Sequence, residues 1–149
     1  MGVVIQTAGA FFAVASFSLI LEVPKKLVVW SGLAGGLCWL VYLLVREASA
    51  SVVLAAFLSG ISVACFGQTA AKKLKAPATV FLIPGILPLV PGASIYHSVY
   101  FMIHNNREQS AYYLTETLQI AGAIAMAVFL VDSLFQLARK RKRRERGDC

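Results

Sequence analysis

Two carboxylates in an apolar stretch are the residues of this sequence best suited to proton or ion chemistry. Glu116 and Asp132 lie about 24 Å apart if the stretch between them is a helix. A bilayer core is about 30 Å thick, so at least one of the two should lie within it if the stretch crosses a membrane. Acids at that depth are costly and often mark ion or proton paths. The competing explanation places each acid at an interface, with Asp132 reaching toward the basic tail.

A polar stripe of aromatic residues could contact a solute. Tyr96, Tyr100 and His104 follow one another at four-residue steps, and His97 is adjacent to Tyr96. On a helix this spacing puts the three on one face, toward a cavity or a partner. Anchoring at the membrane interface explains Tyr100 and His104 equally well. Tyr96 and His97 lie deeper, and we consider them candidates for substrate contact.

The stretch before this stripe cannot be a continuous helix. Residues 77–100 are apolar, yet they contain four prolines and two Pro-Gly pairs. Each proline removes a backbone donor and clashes with the preceding turn, so the sequence predicts a break around Pro84, Pro88 and Pro91. Broken backbone at membrane depth must be buried in protein or line a wet cavity. The break is therefore a candidate binding or transport site.

The helix that resumes after the break predicts an anion site. Residues 93–103 would rise about 16 Å, roughly half the hydrocarbon core, so the helix should begin near the bilayer midplane. Its first free amides, around Gly92, Ala93 and Ser94, carry partial positive charge. Gly92 and Gly85 have no side chain to keep a ligand from the backbone. These features favour a small carboxylate-bearing substrate.

Composition identifies a membrane protein of one domain. Of the 149 residues, 58% are hydrophobic and 14% are charged. The net charge of +7 is concentrated, since half of the 14 basic residues lie between Arg139 and Arg146. A basic run beside an apolar span is typical of a cytoplasmic end, and no stacking aromatics favour nucleic acid. The three cysteines have no metal-site or disulfide spacing, so we expect no metal and no cofactor.

The apolar runs predict an all-α membrane protein with about five transmembrane helices, the fourth broken by proline and glycine near the bilayer midplane. The predicted spans are residues 3–21, 27–45, 48–71, 80–103 and 118–137. Residues 1–137 form the transmembrane domain, and residues 138–149 are predicted to be a disordered basic tail in the cytoplasm.

Loop charges predict the orientation of these spans. Basic residues are abundant in one set of loops, at Lys25 and Lys26, at Lys72, Lys73 and Lys75, and in the tail; the other loops hold Arg46 and Arg107. Five crossings put every strongly basic loop in the cytoplasm if the N-terminus is outside and the C-terminus inside. A fourth segment that failed to cross would place the basic tail outside.

The second and third spans have simpler interpretations. Trp30 and Tyr42 sit near the ends of the second span, as interfacial aromatics do, and Arg46 marks its exit. Gly and Ala recur along the third span at three- and four-residue steps, which is typical of a helix-packing face. Gln68 and Thr69 could reach a polar cavity, but we favour an interfacial position for both.

The residues of the break resemble a known signature. The sequence Phe-Leu-Ile-Pro-Gly-Ile-Leu-Pro-Leu-Val-Pro-Gly at residues 81–92, followed by Tyr96, is similar to that of the threonine/serine exporter family. In particular it resembles the small membrane component that corresponds to the C-terminal half of that exporter. The resemblance implies secondary export of threonine and serine across a bacterial inner membrane, driven by an ion gradient. Split relatives are also linked to export of dicarboxylates such as succinate.

The resemblance also implies a partner. The family's larger component has an N-terminal cytoplasmic region and about five spans of its own, which this sequence lacks. Two five-span units joined in sequence would be inverted relative to each other, an arrangement common in secondary transporters. A homo-oligomer is the alternative.

The hypothesis favoured by the sequence is a transporter subunit rather than an enzyme. No nucleophile–base pair, metal-ligand cluster or phosphate-binding loop is present in the sequence. A non-transporting accessory protein is a further alternative, although a scaffold has little use for irregular backbone in lipid. The prolines and glycines would shape the break, and Ser94 and Tyr96 would contact substrate. The predicted substrate site comprises Pro84, Gly85, Pro88, Pro91, Gly92, Ala93, Ser94, Tyr96 and His97, and Glu116 and Asp132 are the candidates for ion coupling.

Overall fold

A computed structural model describes residues 2–147, and these form helices joined by short turns, with no strand among them. The helices are α1 (Gly2–Ile20), α2 (Lys25–Ser49), α3 (Val52–Leu74), α4 (Thr79–Gly85), α5 (Gly92–Ile103) and α6 (Arg107–Gly147). A 3₁₀ turn at Leu87–Leu89 lies between α4 and α5.

The helices confirm the predicted all-α membrane fold. Four of them, α1, α2, α3 and α6, are long and apolar enough to cross a membrane. A fifth crossing is available if Thr79–Leu89 and Gly92–Ile103, which are bent by 46° relative to each other, form one span. The chain is thus a multi-pass membrane protein with four or five candidate spans, and the bent pair, which we call the broken span, lies where the prolines predict a break.

Small residues let the helices approach closely. Helix α2 is central and packs against α1, α3 and α4. At Gly35 a side chain could not be accommodated, because a Cβ atom would lie 2.4 Å from Val14 Cγ2. Gly60 of α3 lies similarly close to α6, because a Cβ atom at Gly60 would lie 2.9 Å from Ala127 Cβ. In a bilayer, where lipid is as apolar as the protein interior, such close packing drives helix association.

Pro84 lies inside α4, and another helix supplies the hydrogen bond that it cannot make. A helical residue at position 84 would donate its N–H to the carbonyl of Val80, but proline has no N–H. The hydroxyl of Ser31, which is fully buried in α2, lies 3.1 Å from the Val80 carbonyl oxygen. This contact is shorter than its 3.3 Å contact within α2, to Leu27. Ser31 therefore stabilises the proline-containing helix from outside.

The chain leaves helical geometry after Gly85 and recovers it at Gly92. Gly85 is buried, and a Cβ there would lie 2.6 Å from Val63 Cγ2, so α4 must end against α3 without a side chain. At Pro91 the backbone has φ −76° and ψ 54°, close to an inverse γ-turn. Consistent with that turn, the Gly92 N–H donates to the Val90 carbonyl at 2.7 Å.

Helix α6 is longer than the predicted fifth span. It begins at Arg107, where the sequence predicts a polar loop, because the Asn106 side chain caps it by accepting from the Gln109 N–H at 3.2 Å. It then continues to Gly147, where the sequence predicts a disordered tail. Arginine, lysine and glutamate are good helix formers, and no glycine or proline interrupts them before position 147. Asp148 and Cys149 lie outside the described residues.

Ser31→Ala should destabilise the protein more than Ser59→Ala. Both serines are fully buried. The Ser59 hydroxyl contacts only carbonyls of its own helix, those of Ala55 and Ala56, whereas Ser31 serves the carbonyl that Pro84 cannot reach. The penalty for an unsatisfied buried carbonyl is about 1–3 kcal/mol, and for the half-buried Val80 carbonyl we expect the lower part of that range. Thermal unfolding in detergent should show a clearly larger fall in Tm for Ser31→Ala; equal falls would contradict this role.

Candidate functional site: two cavities at the broken span

Two cavities meet at the break. The first, which we call the Glu116 cavity, has a volume of about 360 Å³, and the second, the Asp132 cavity, about 750 Å³. Val90 and Pro91 line both. The Glu116 cavity is completed by Trp39, Tyr42, Arg46, Val52, Pro88, Leu89, Gly92, Ala93, Ser94, His97, Tyr113, Glu116 and Ile120. The Asp132 cavity is completed by Ala64, Gln68, Ala78, Thr79, Leu82, Ile86, Ala121, Ile124, Ala125, Val128, Phe129, Val131 and Asp132.

The cavities lie toward opposite ends of the bundle. The Glu116 cavity reaches the end of α2 and the start of α3, at Arg46 and Val52. The Asp132 cavity lies beside the start of α4, at Thr79. At that same end the Lys72 ammonium lies 4.5 Å from the centre of the Phe135 ring, near the basic tail. Val90 and Pro91, at the break, therefore lie between the Glu116 cavity and the Asp132 cavity.

Ser94 and Glu116 connect the start of α5 to α6 within the Glu116 cavity. The Ser94 hydroxyl donates to Glu116 Oε2 at 2.8 Å, a charge-assisted bond. The register of α5 on α6 is fixed nearby by a reciprocal pair. The Ser98 hydroxyl donates to the Ser110 carbonyl at 3.1 Å, and the Ser110 hydroxyl donates to the Ser98 carbonyl at 2.9 Å. This pairing sets Glu116 opposite the first turn of α5.

The sequence predicts three free amides at the start of α5, and the structure leaves two of them free. The Gly92 N–H is not free, because the inverse γ-turn directs it to the Val90 carbonyl. The first helical bond runs from the Ile95 N–H to the Pro91 carbonyl at 3.0 Å. Among the residues that the structure describes, none accepts a hydrogen bond from the Ala93 or Ser94 amide. Two amides, rather than three, therefore point out of this helix end without a protein partner.

Aromatic rings form the rest of the wall of the Glu116 cavity. Trp39 and Tyr42 of α2 are stacked with their ring centroids 5.0 Å apart. The His97 ring lies 5.0 Å from that of Tyr113, between α5 and α6. Arg46 is the cationic residue of this lining. The cavity thus combines one arginine, one carboxylate, the hydroxyls of Ser94, Tyr42 and Tyr113, and an aromatic wall.

The second acid is held differently. Asp132 Oδ1 accepts from Gln68 Nε2 at 2.9 Å, and Asp132 Oδ2 accepts from Gln136 Nε2 at 2.7 Å. Both carboxylate oxygens therefore have amide donors, in a cavity whose wall is otherwise mostly apolar. Gln68 is buried in this wall rather than exposed, contrary to the interfacial position that we favoured for it. Thr69 is exposed, and its hydroxyl bonds within its own helix.

The structure brings together most of the predicted site residues, but not all. The Glu116 cavity contains Pro88, Pro91, Gly92, Ala93, Ser94 and His97 together with Glu116. Pro84 and Gly85 are instead buried in the packing of α4. Tyr96 lines neither cavity; its side chain is 64% exposed and stacks on Tyr100, with centroids 6.1 Å apart.

The sequence did not indicate four aromatic or charged residues that line the Glu116 cavity. Trp39, Tyr42 and Arg46 belong to α2 and Tyr113 to α6, far from the proline segment along the chain. An aromatic residue followed by an arginine is typical of the end of a membrane span, and we interpreted Tyr42 and Arg46 in that way. Only the packing of α2 against the 3₁₀ turn and α4 reveals that they face the break.

Comparison with known proteins relates this chain to a protein family. The family model described as Threonine/Serine exporter, ThrE matches residues 6–134, which include the break and both acids. A probable threonine/serine exporter of Mycobacterium tuberculosis is 25% identical over 133 residues, covering 89% of this chain and 25% of the relative. The chain therefore spans about a quarter of the length of that relative.

No solved structure gives a significant match. The family model nevertheless covers the whole of the helical bundle that forms the two cavities, apart from the first residues of α1 and the end of α6. Its description is that of an exporter and not of an enzyme. The chain belongs to the threonine/serine exporter family.

Proposed function

We propose that this chain is a membrane subunit of a secondary exporter of small carboxylate-bearing metabolites, with threonine and serine as its substrates, in a bacterial inner membrane. The observation that supports this most strongly is the Glu116 cavity, which opens where the fourth span is broken. Family membership supports amino-acid export, and the cavity supplies a place for the solute. Its volume of about 360 Å³ lies at the small end of ligand sites, which run from about 300 to 1,000 Å³.

The start of α5 would bind the carboxylate of the substrate. The amides of Ala93 and Ser94 lie at the positive end of the helix dipole. Gly92 adds no side chain, and a Cβ there would meet no atom within 4 Å, so the approach to these amides is open. A hydrophobic wall with a few convergent polar groups is what a small-molecule site requires.

The two cavities would serve the two sides of the membrane in turn. In the orientation that the loop charges predict, the Asp132 cavity faces the cytoplasm and the Glu116 cavity faces outside. Solute would pass from one to the other at Val90 and Pro91, which line both. Movement of the broken span about this point is the kind of change by which secondary transporters alternate their access.

A five-span unit would supply half of such a transporter. The chain covers 25% of a relative that bears the exporter description by itself. We propose that the rest of the exporter comes from a larger partner, with its own spans and a cytoplasmic region, or from a second copy of this chain. In either case the two units would be related by inversion or rotation in the membrane.

Export of a dicarboxylate such as succinate is the second candidate. The observation that favours it is that Arg46 and His97 line the same cavity. A histidine and an arginine in one lining would offer two basic side chains to the two carboxylates of such a solute.

The two acids are our candidates for ion coupling. Both lie in α6, and each faces a different cavity at the break. Acids in such positions commonly take up and release protons during transport. We propose that one of them carries the coupling proton.

Gly92→Leu should abolish efflux while leaving the fold intact. The backbone at Gly92 has negative φ and its Cβ would be unobstructed, so a larger residue fits there, but its side chain would occupy the Glu116 cavity. Gly122→Leu is the matched control, because Gly122 also has open space around its Cβ and lines neither cavity. Efflux of labelled threonine from cells that co-express the chain and its partner should be lost in the first variant and retained in the second.

The same assay tests the subunit role. Efflux that requires both chains supports a two-component exporter, and efflux by this chain alone supports a homo-oligomer. Efflux by the partner alone, or undiminished efflux with Gly92→Leu, would contradict the proposed function and leave an accessory role.

Neutralising the coupling acid should remove the dependence of efflux on the proton gradient. Glu116→Gln and Asp132→Asn each preserve the shape of the side chain and one of its two acceptor oxygens while removing the charge. Threonine efflux into media of different pH, with and without an uncoupler, measures the coupling. One of the two variants should export at a rate that no longer responds to the gradient; full coupling in both would exclude these acids.

A further inference from the structure

We propose that the Glu116 cavity selects a zwitterion: Glu116 binds the ammonium group of an amino acid, and Arg46 joins the Ala93 and Ser94 amides in binding its carboxylate. The inference rests on the proposed function and assigns to two side chains, Arg46 and Glu116, the discrimination between an amino acid and a dicarboxylate. It follows from the observation that two oppositely charged side chains face one small cavity and do not form an ion pair with each other.

Arg46 and Glu116 are opposite charges that share a cavity without forming an ion pair. They come from different helices, α2 and α6, and both line the space of about 360 Å³. An ion pair would require their nitrogen and oxygen atoms to lie within 4.0 Å, and among the described residues neither side chain has such a partner. Each charge is therefore available to a ligand between them.

One oxygen of the Glu116 carboxylate accepts a hydrogen bond that orients the group, and the other oxygen is left for a ligand. Its Oε2 accepts the Ser94 hydroxyl at 2.8 Å, which fixes the group against the start of α5. No donor is recorded for Oε1 among the residues that the structure describes. An ammonium group carries three donors, so it can bind Oε1 without displacing Ser94.

A dicarboxylate fits this lining less well. The titratable residues that face the cavity are Tyr42, Arg46, His97, Tyr113 and Glu116. With histidine counted as neutral, the lining carries one formal positive and one formal negative charge, which matches a zwitterion. The second carboxylate of succinate would have to lie near Glu116 or His97, and repulsion from Glu116 would oppose it. The Glu116 charge thus distinguishes the two candidate substrates.

The test compares two solutes that differ only in the ammonium group. Threonine is 2-amino-3-hydroxybutanoate, and 3-hydroxybutyrate is the same molecule without the amino group. Cells that co-express the chain and its partner are loaded with both labelled solutes, or with threonine and labelled succinate, and the two efflux rates are measured together. The ratio of the rates within one variant is independent of how much protein is made.

Glu116→Gln should lower the ratio of threonine to 3-hydroxybutyrate efflux by about tenfold or more, since one charge-assisted contact is lost. Glutamine still accepts the Ser94 hydroxyl, so the position of α5 is preserved. The control is Glu47→Gln, because Glu47 adjoins Arg46 in sequence but does not line the cavity. Arg46→Gln should slow both solutes alike and leave their ratio unchanged, since both carry the carboxylate.

The outcomes separate this inference from the proposed function. Wild-type efflux of threonine with a ratio that Glu116→Gln leaves unchanged would overturn the zwitterion site and leave the exporter proposal standing. Succinate efflux as fast as threonine efflux in the wild type would overturn it as well. If neither threonine nor succinate leaves through the wild-type exporter, the proposed function fails and this inference fails with it.

Discussion

Backbone hydrogen bonding in the absence of water is the constraint on which this structure depends. The fourth span contains prolines that cannot donate, and a membrane offers no solvent to replace the missing bonds. The protein satisfies part of the deficit internally, through the Ser31 hydroxyl at Val80 and the γ-turn at Pro91. The remainder, two amides at the start of α5, faces the Glu116 cavity. In the proposed function, these two amides are the part of the deficit that a solute would satisfy.

The same break leaves room for polar side chains within the helical bundle. Glu116 and Asp132 would be costly on a lipid-facing surface, but each lies in a cavity beside the break and each has a hydrogen-bond donor. Glycine and alanine make this possible, because they bring α3 close to α6 and leave room between α6 and the broken span. Small residues therefore serve two purposes in α6: they allow close packing against α3, and they leave open space beside the broken span.

The fold could be largely predicted from the sequence, because apolar length and proline chemistry act locally. The apolar helices and the break follow from residues near one another in the chain. The site could be predicted only in part. Ser94 and His97 lie within the broken span, but Arg46 and Tyr42 reach the cavity through tertiary packing that no local pattern encodes. Tyr96 has the expected helical spacing, yet rotation of α5 turns it outward. Likewise, Gly85 serves close packing rather than ligand approach, a distinction that depends on Val63 of another helix.

Chemical labelling of a single cysteine at position 92 would test most directly whether the break lies in a solute-accessible cavity. In a chain whose own cysteines, Cys38, Cys65 and Cys149, are replaced by alanine, Gly92→Cys should react in intact membranes with a charged thiol reagent that cannot cross lipid. Excess threonine should slow that reaction, and Gly122→Cys, in α6, should stay unreactive. A Gly92→Cys side chain that does not react, or that reacts at the same rate with and without threonine, would contradict a solute site at the broken span.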